Sequence, residues 1–237
     1  MAVASSTVTY SAPSGQVQAY LSRPDTREPR PGLVVVQEWW GLDEHIKDIT
    51  RRFAAEGYVA LAPDLYHGTV TAEPDEAQKL MMALDKPRAV QEVAAGVRWL
   101  RGQPACRGQK LATIGYCMGG ALSLAAAIEL GGELDACVIY YGRNPDPIDQ
   151  VQRVQCPVLG IYGEADQGVP PAEVERLAQA MQRHGKSFQH HIYPGAPHAF
   201  FNDTRPQVYR AEAARDAWQK TLAFFAQHLQ APAAQRR

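Results

Sequence analysis

Two hydrophobic periods alternate along the chain. Short apolar runs such as Leu33–Val36 and Leu111–Gly115 are separated by longer stretches in which apolar residues recur every three or four positions. The first pattern suits a strand buried on both faces, and the second a helix with one face on a core. Thr7–Tyr10 and Val17–Ser22 read as opening strands forming an antiparallel edge. Leu33–Val36, Tyr58–Ala62, Leu111–Gly115, Ala136–Tyr141, Val158–Tyr162 and Phe188–Tyr193 read as the strands that follow. Between them, Glu44–Glu56 carries Ile46, Ile49 and Phe53 on one stripe and stops at Gly57. Glu73–Arg101 reads as a helix in two parts broken at Pro87, with Val90, Val93, Val97 and Leu100 facing inward. Gly119–Leu130, Ala172–His184 and Gln207–Leu229 complete the helices. Strands alternating with helices predict an α/β fold, a mostly parallel sheet flanked by helices on both faces.

No internal repeat, low-complexity block or inter-domain linker interrupts this alternation, so residues 1–237 are expected to form a single domain. Residues 1–30 supply edge strands and a Pro-rich loop, and 230–237 are expected to fray.

Composition narrows the function classes. The 24 basic and 25 acidic side chains give a formal charge of −1, without the basic stripe of a nucleic-acid binder or a polybasic membrane anchor. The N-terminal segment lacks the basic start and apolar core of a signal peptide, and no run is long enough to span a bilayer. The four cysteines, Cys106, Cys117, Cys137 and Cys156, show no C-x-x-C spacing. A reduced, cytoplasmic setting is expected, in which a lone cysteine persists as a thiol.

Candidate chemistry centres on Gly115-Tyr116-Cys117-Met118-Gly119-Gly120. This is the G-x-nucleophile-x-G pattern of a tight strand-to-helix turn, with cysteine where serine usually stands. Glycines flank the nucleophile where side chains would collide, and the following helix start favours negative charge on sulfur and on a developing oxyanion. The bland alternative is a buried cysteine in a Gly-rich turn. No G-x-S-x-G occurs elsewhere to compete.

An acid and a base are expected in chain order after the nucleophile. Asp166 lies in Gly163-Glu164-Ala165-Asp166 beyond one strand, and His198 lies in Pro194-Gly195-Ala196-Pro197-His198 beyond the next. Both positions are strand C-terminal ends, where open α/β sheets build sites. Glu164 is the rival acid, and His67, His190 and His191 are the rival bases.

Taken together, Gln37-Glu38 with Gly41, Pro63-Asp64-Leu65-Tyr66, the Cys117 motif, Tyr140-Tyr141-Gly142, Gly163 with Asp166, and Gly195 with His198 resemble the dienelactone hydrolase (carboxymethylenebutenolidase) family of the α/β-hydrolase superfamily. The resemblance implies an α/β-hydrolase fold with little or no lid. It implies a hydrolase of lactones or activated esters with a Cys117–His198–Asp166 triad and a thioester acyl-enzyme. It also makes Glu38 an accessory carboxylate that helps deprotonate the thiol once substrate is bound. The backbone N–H groups of Trp39 and Met118 form the implied oxyanion hole. No cofactor or metal is expected, and the partners are a small lactone or ester in a monomer or homodimer.

The departures concern specificity. Family members acting on dienelactone carry an arginine shortly after the histidine, whereas Ala199-Phe200-Phe201-Asn202 follows here. A second arginine has no match in Glu73–Lys86, leaving Arg143, Arg205 or Arg88 as substitutes. Loss of bidentate charge pairing weakens recognition of an anionic lactone. Trp39, Trp40, Phe200 and Phe201 suggest a more apolar pocket, and Tyr141, Trp40, Phe200 and Arg143 are the candidate substrate contacts. The alternatives are a general carboxylesterase or thioesterase on the same residues, or a binding protein on a hydrolase scaffold. A redox-sensing Cys117 is a further variant of the last.

Overall fold

The computed structural model describes residues 2–229, so the expected frayed tail at 230–237 lies outside the described residues. Its strands are β1 (Val3–Ala12), β2 (Gly15–Pro24), β3 (Gly32–Val36), β4 (Val59–Pro63), β5 (Leu111–Tyr116), β6 (Ala136–Tyr140), β7 (Val158–Gly163) and β8 (Phe188–Tyr193). The helices are α1 (Glu44–Ala55), α2 (Pro74–Ala83), α3 (Lys86–Gly102), α4 (Met118–Leu130), α5 (Pro171–Arg183) and α6 (Ala211–Leu229). The strands form one eight-stranded sheet in the order β1-β2-β4-β3-β5-β6-β7-β8. β1 and β2 are antiparallel, β2 meets β4 antiparallel, and every pairing from β4 through β8 is parallel. This is the α/β-hydrolase fold.

The period of two along β3 explains why helices are needed on both faces. Leu33 and Val35 join the core built with α1 and α6, while Val34 and Val36 join the core built with α3, α4 and α5. All five β3 residues are buried, so a polar group there would meet hydrocarbon on either face. On α1 the stripe Ile46, Ile49 and Phe53 is fully buried, as its spacing requires.

Most element ends move by one or two residues from the sequence pattern, and three boundaries differ for a physical reason. β1 begins at Val3 rather than Thr7, because the edge strand alternates small polar residues and has no hydrophobic signature. The helix break falls at Leu84–Asp85 rather than Pro87. Asp85 caps α3 by accepting the Arg88 N–H at 3.1 Å, and proline is tolerated in a first turn. α6 begins at Ala211 rather than Gln207, the preceding residues forming turns behind Pro206. Among the described residues no helix is long and apolar enough to cross a membrane.

Candidate active site

β5 ends at Tyr116 and α4 begins at Met118, leaving Cys117 alone to reverse the chain. Its backbone sits at φ 54° and ψ −117°, a strained conformation for a non-glycine residue, held by the Cys117 N–H donating to the Tyr140 carbonyl at 3.0 Å. The turn closes only because its neighbours lack side chains. A Cβ on Gly115 would strike the Gly119 carbonyl, and one on Gly119 would strike the carbonyls of Val36 and Gln37. α4 therefore starts against the end of β3. The Cys117 side chain caps nothing, and the residue is partly exposed.

Beyond β7, Asp166 is buried and fixed. Its Oδ1 accepts the N–H groups of Gly168 at 2.7 Å and Val169 at 2.9 Å, and its Oδ2 lies 2.7 Å from His198 Nδ1. Burial works to raise its pKa, but the His198 contact and the two backbone donors outweigh this and hold it below the usual carboxylate range. The Cys117 sulfur is near enough to the His198 ring to act on its charge. Burial disfavours the charged form of the ring, yet the bond to Asp166 and the influence of Cys117 prevail and lift its pKa to about 10. An imidazole hydrogen-bonded to a carboxylate thus stands beside a thiol, a set of groups with which nucleophilic catalysis can be built.

The rivals stand elsewhere. Glu164 is exposed and accepts the Gly195 N–H at 2.9 Å. His67 is exposed and lies 3.0 Å from Arg88. His190 stacks on Phe188, and burial lowers the pKa of His191.

Glu38, just past β3, is 1% exposed. Tyr141 donates its hydroxyl to Oε1 at 3.3 Å, and Asn202 donates its amide N–H to Oε2 at 2.8 Å. Burial raises its pKa, against the opposing effects of His45 and the Asn202 bond. Tyr141 has a positive φ of 40° and sets its ring 5.0 Å from that of His198, so it bridges the two groups. The backbone N–H groups of Trp39 and Met118 have no hydrogen-bond acceptor among the described residues. They are free donors at the end of β3 and the start of α4.

The other predicted contacts divide. Phe200 is fully buried between Tyr141 and Tyr193, so the expectation that it lines a pocket is replaced by a place in the core. Phe201 is likewise core, stacked with Tyr116. Trp40 is 5% exposed and covered by Arg205, whose guanidinium carbon lies 3.4 Å from the ring centroid. Trp39 meets Trp40 edge-on and keeps partial exposure. Arg143 is exposed, and Arg88 is committed to Glu92 at 2.8 Å. Arg205 has no anionic partner among the described residues.

Sequence reasoning passed over Asn202 as a functional residue. No motif marks a single amide, and its only signal is that it follows His198 in the loop where an arginine was expected. It also gave no role to His45, which is 2% exposed and lies 3.3 Å from Asp203. Among the described residues no group of three or more His, Cys, Asp or Glu is arranged to hold a metal ion. A groove of about 520 Å³ between the β1–β2 pair and α3, lined by Tyr10, Gln16, Arg98 and Trp99, contains none of the predicted site residues.

The sequence profile of the Dienelactone hydrolase family matches residues 17–229. A Saccharolobus solfataricus protein provisionally named a carboxymethylenebutenolidase is 33% identical over 256 residues, covering 91% of this chain and 95% of its own length. Among solved structures, a protein from Klebsiella pneumoniae provisionally described as a dienelactone hydrolase superposes with a TM-score of 0.84 at 32% identity, covering 96% of this chain and 100% of its own. A dienelactone hydrolase-like promiscuous phosphotriesterase from metagenomic libraries superposes with a TM-score of 0.88 at 25% identity, covering 97% of this chain and 100% of its own.

Proposed function

The chain belongs to the dienelactone hydrolase family, a hydrolase of the α/β-hydrolase superfamily, and from that premise we propose that it cleaves lactones or activated esters through a thioester on Cys117. The observation that carries this reading is the line Cys117–His198–Asp166, with 2.7 Å between His198 Nδ1 and Asp166 Oδ2.

In this reading the Cys117 thiolate adds to the acyl carbon. A carbon–sulfur bond forms as the carbonyl π pair moves onto oxygen, where the N–H groups of Met118 and Trp39 receive it. The oxyanion collapses, the carbon–oxygen bond to the leaving group breaks, and the proton on His198 goes to the departing oxygen. A water molecule, deprotonated by His198, then hydrolyses the thioester and restores the thiol. Asp166 holds one tautomer of His198 and stabilises its charge. Glu38 adds a carboxylate beside this path, its protonation set by burial.

Sulfur is itself a good leaving group, so attack on a poor leaving group reverts. Stabilised enolates and phenolates therefore suit this site better than amines, which favours lactones and esters over peptides. Asn202 gives Glu38 a neutral partner and adds no cation, which favours uncharged substrates. The same observation supports a general carboxylesterase as the second reading. The test compares turnover of a dienelactone, an uncharged lactone and 4-nitrophenyl acetate by the protein and by Cys117→Ala. The expected result is hydrolysis that vanishes in the variant, with an acyl mass adduct on Cys117 in the parent. Activity surviving in Cys117→Ala would overturn the reading.

A further inference from the structure

Pro63-Asp64-Leu65-Tyr66, beyond β4, has no part in the triad, yet the chain spends several buried hydrogen bonds on holding it. Asp64 Oδ1 accepts the Tyr66 N–H at 3.1 Å, and Oδ2 accepts the Gly68 N–H at 2.6 Å. Gln37 Oε1 accepts the Leu65 N–H at 3.1 Å, tying the loop to the segment that continues into Glu38 and Trp39. The Thr71 N–H donates to the Trp40 carbonyl at 3.0 Å, closing the loop over the same segment. What this frame fixes is one phenol. Tyr66 is 9% exposed, and its hydroxyl has a single side-chain partner, the Met118 sulfur at 3.5 Å.

A thioether is a weak acceptor, so the O–H of this largely buried residue stands without a strong protein partner. That is costly for a structural tyrosine and suited to one whose acceptor arrives with the substrate. The strand order says which substrate atom it meets. β4, β3 and β5 are adjacent, so Tyr66, Trp39 and Met118 extend from neighbouring strand ends. Asp166 and His198 come from β7 and β8, on the other side of Cys117. The proton to the leaving group comes from the His198 side. The face toward β3 and β4, where the free N–H groups lie, is left for the acyl oxygen. Burial, with the Cys117 charge adding to it, pushes the Tyr66 pKa up, so the phenol keeps its proton for donation.

We propose that Tyr66 is a further catalytic residue, its hydroxyl donating a hydrogen bond to the acyl oxygen as Cys117 adds to the carbonyl, beside the N–H groups of Met118 and Trp39. The inference rests on Cys117 being the nucleophile. No proton is transferred: the sulfur–carbon bond forms, the π pair moves to oxygen, and the O–H turns from the Met118 sulfur to that charge.

The experiment compares Tyr66→Phe with the parent on 4-nitrophenyl, 3-nitrophenyl and phenyl acetates. It adds the alkylation rate of Cys117 by iodoacetamide and the inhibition constant of an aryl trifluoromethyl ketone, whose thiol adduct carries an oxyanion. The expected result is a fall in kcat/KM on the order of 10²-fold, similar across the three leaving groups. The inhibition constant should rise by a comparable factor while alkylation, which develops no oxyanion, is unchanged. Because an inhibition constant does not depend on the amount of active enzyme, partial unfolding of the variant leaves the result readable. Activity and inhibition within twofold of the parent would overturn the proposal. So would a loss that grows with leaving-group basicity, or one matched by slower alkylation, since either would move the hydroxyl's action away from the acyl oxygen. Cys117→Ala is assayed alongside. If it stays active the nucleophile assignment has failed, and if it is dead while Tyr66→Phe is not, only the role of Tyr66 has failed.

Discussion

Asn202 donates its amide N–H to Glu38 across 2.8 Å, and both side chains are buried. The amide cannot turn over, because its oxygen already accepts the Thr204 N–H at 3.1 Å and the Thr204 hydroxyl at 2.6 Å. Glu38 thus rests on a neutral, oriented donor, and its charged form meets desolvation without a cation in hydrogen-bond contact. Replacing Asn202 by Asp puts two carboxyl groups face to face with no change of shape. The pair then keeps a proton in the folded state at pH values where the unfolded chain has lost it. A folded pKa above the unfolded value means stability present at low pH and lost as pH rises. Asn202→Asp is therefore expected to lower the melting temperature more at pH 8 than at pH 5. An equal loss at both values would mean that Glu38 does not feel the new acid.

A Cβ added at Gly119 would strike the carbonyl oxygens of both Val36 and Gln37. Neither is a flexible side-chain end, so a methyl group there must move β3 or α4. Gly119→Ala should cost about 1–3 kcal/mol or more by overpacking, measurable as a lower urea midpoint. It should also reduce esterase activity in the folded fraction, because the shift separates Met118 from Trp39. Gly102→Ala, where a Cβ meets nothing within 4 Å, is the control expected to leave both unchanged. Equal behaviour of the two variants would show that the turn has slack.

Most of this architecture was legible because its signals are periodic. Strands β3 to β7 and the stripe on α1 announce themselves through burial on two faces or one. The edge strand β1 was half seen, since a strand with a wet face carries little hydrophobic contrast. Cys117, Asp166 and His198 drew notice through their places after strands, and the structure joins His198 to Asp166 at 2.7 Å and puts Cys117 at the turn from β5 to α4. Phe200 was misjudged because an aromatic ring next to a site residue reads the same whether it faces the pocket or, as here, the core behind Tyr141. Asn202 was passed over because a polar residue that satisfies a buried partner across 164 positions leaves no local pattern.

Asp166 accepts three hydrogen bonds, and only the one from His198 has a part in the proposed reaction. Asp166→Asn keeps the size and an acceptor oxygen for Gly168 and Val169. That leaves the amide nitrogen toward His198, where it favours the wrong tautomer. The expected loss in kcat is on the order of 10³- to 10⁴-fold, with little change in KM. Its pKa lies below the unfolded value, so its contribution to stability is present above the unfolded pKa and fades as pH falls through the folded one. Melting of the Asn variant should therefore converge on that of the parent in acid. A fall of less than tenfold in kcat would remove Asp166 from the machinery.

His198 is held at about pKa 10 by two partners, and in the proposed reaction only one of them survives acylation. When Cys117 carries a thioester, the influence of its sulfur on the ring is gone, while Asp166 remains. The pKa of His198 must then fall, which frees its nitrogen to accept a proton from water in the step that needs a base. Blocking the thiol imitates this state. Carboxamidomethylation of Cys117 is expected to lower the His198 pKa below about 10, as followed by the pH dependence of its imidazole nitrogen shifts in NMR. Cys117→Ala should lower it as well, since neither form presents an ionisable sulfur. The raised folded value also means that the His198 contribution to stability is full below the unfolded pKa and lost as pH climbs through about 10. An unchanged titration after alkylation would show that Asp166 alone sets the charge of the ring, and that the thiol does not switch the base on.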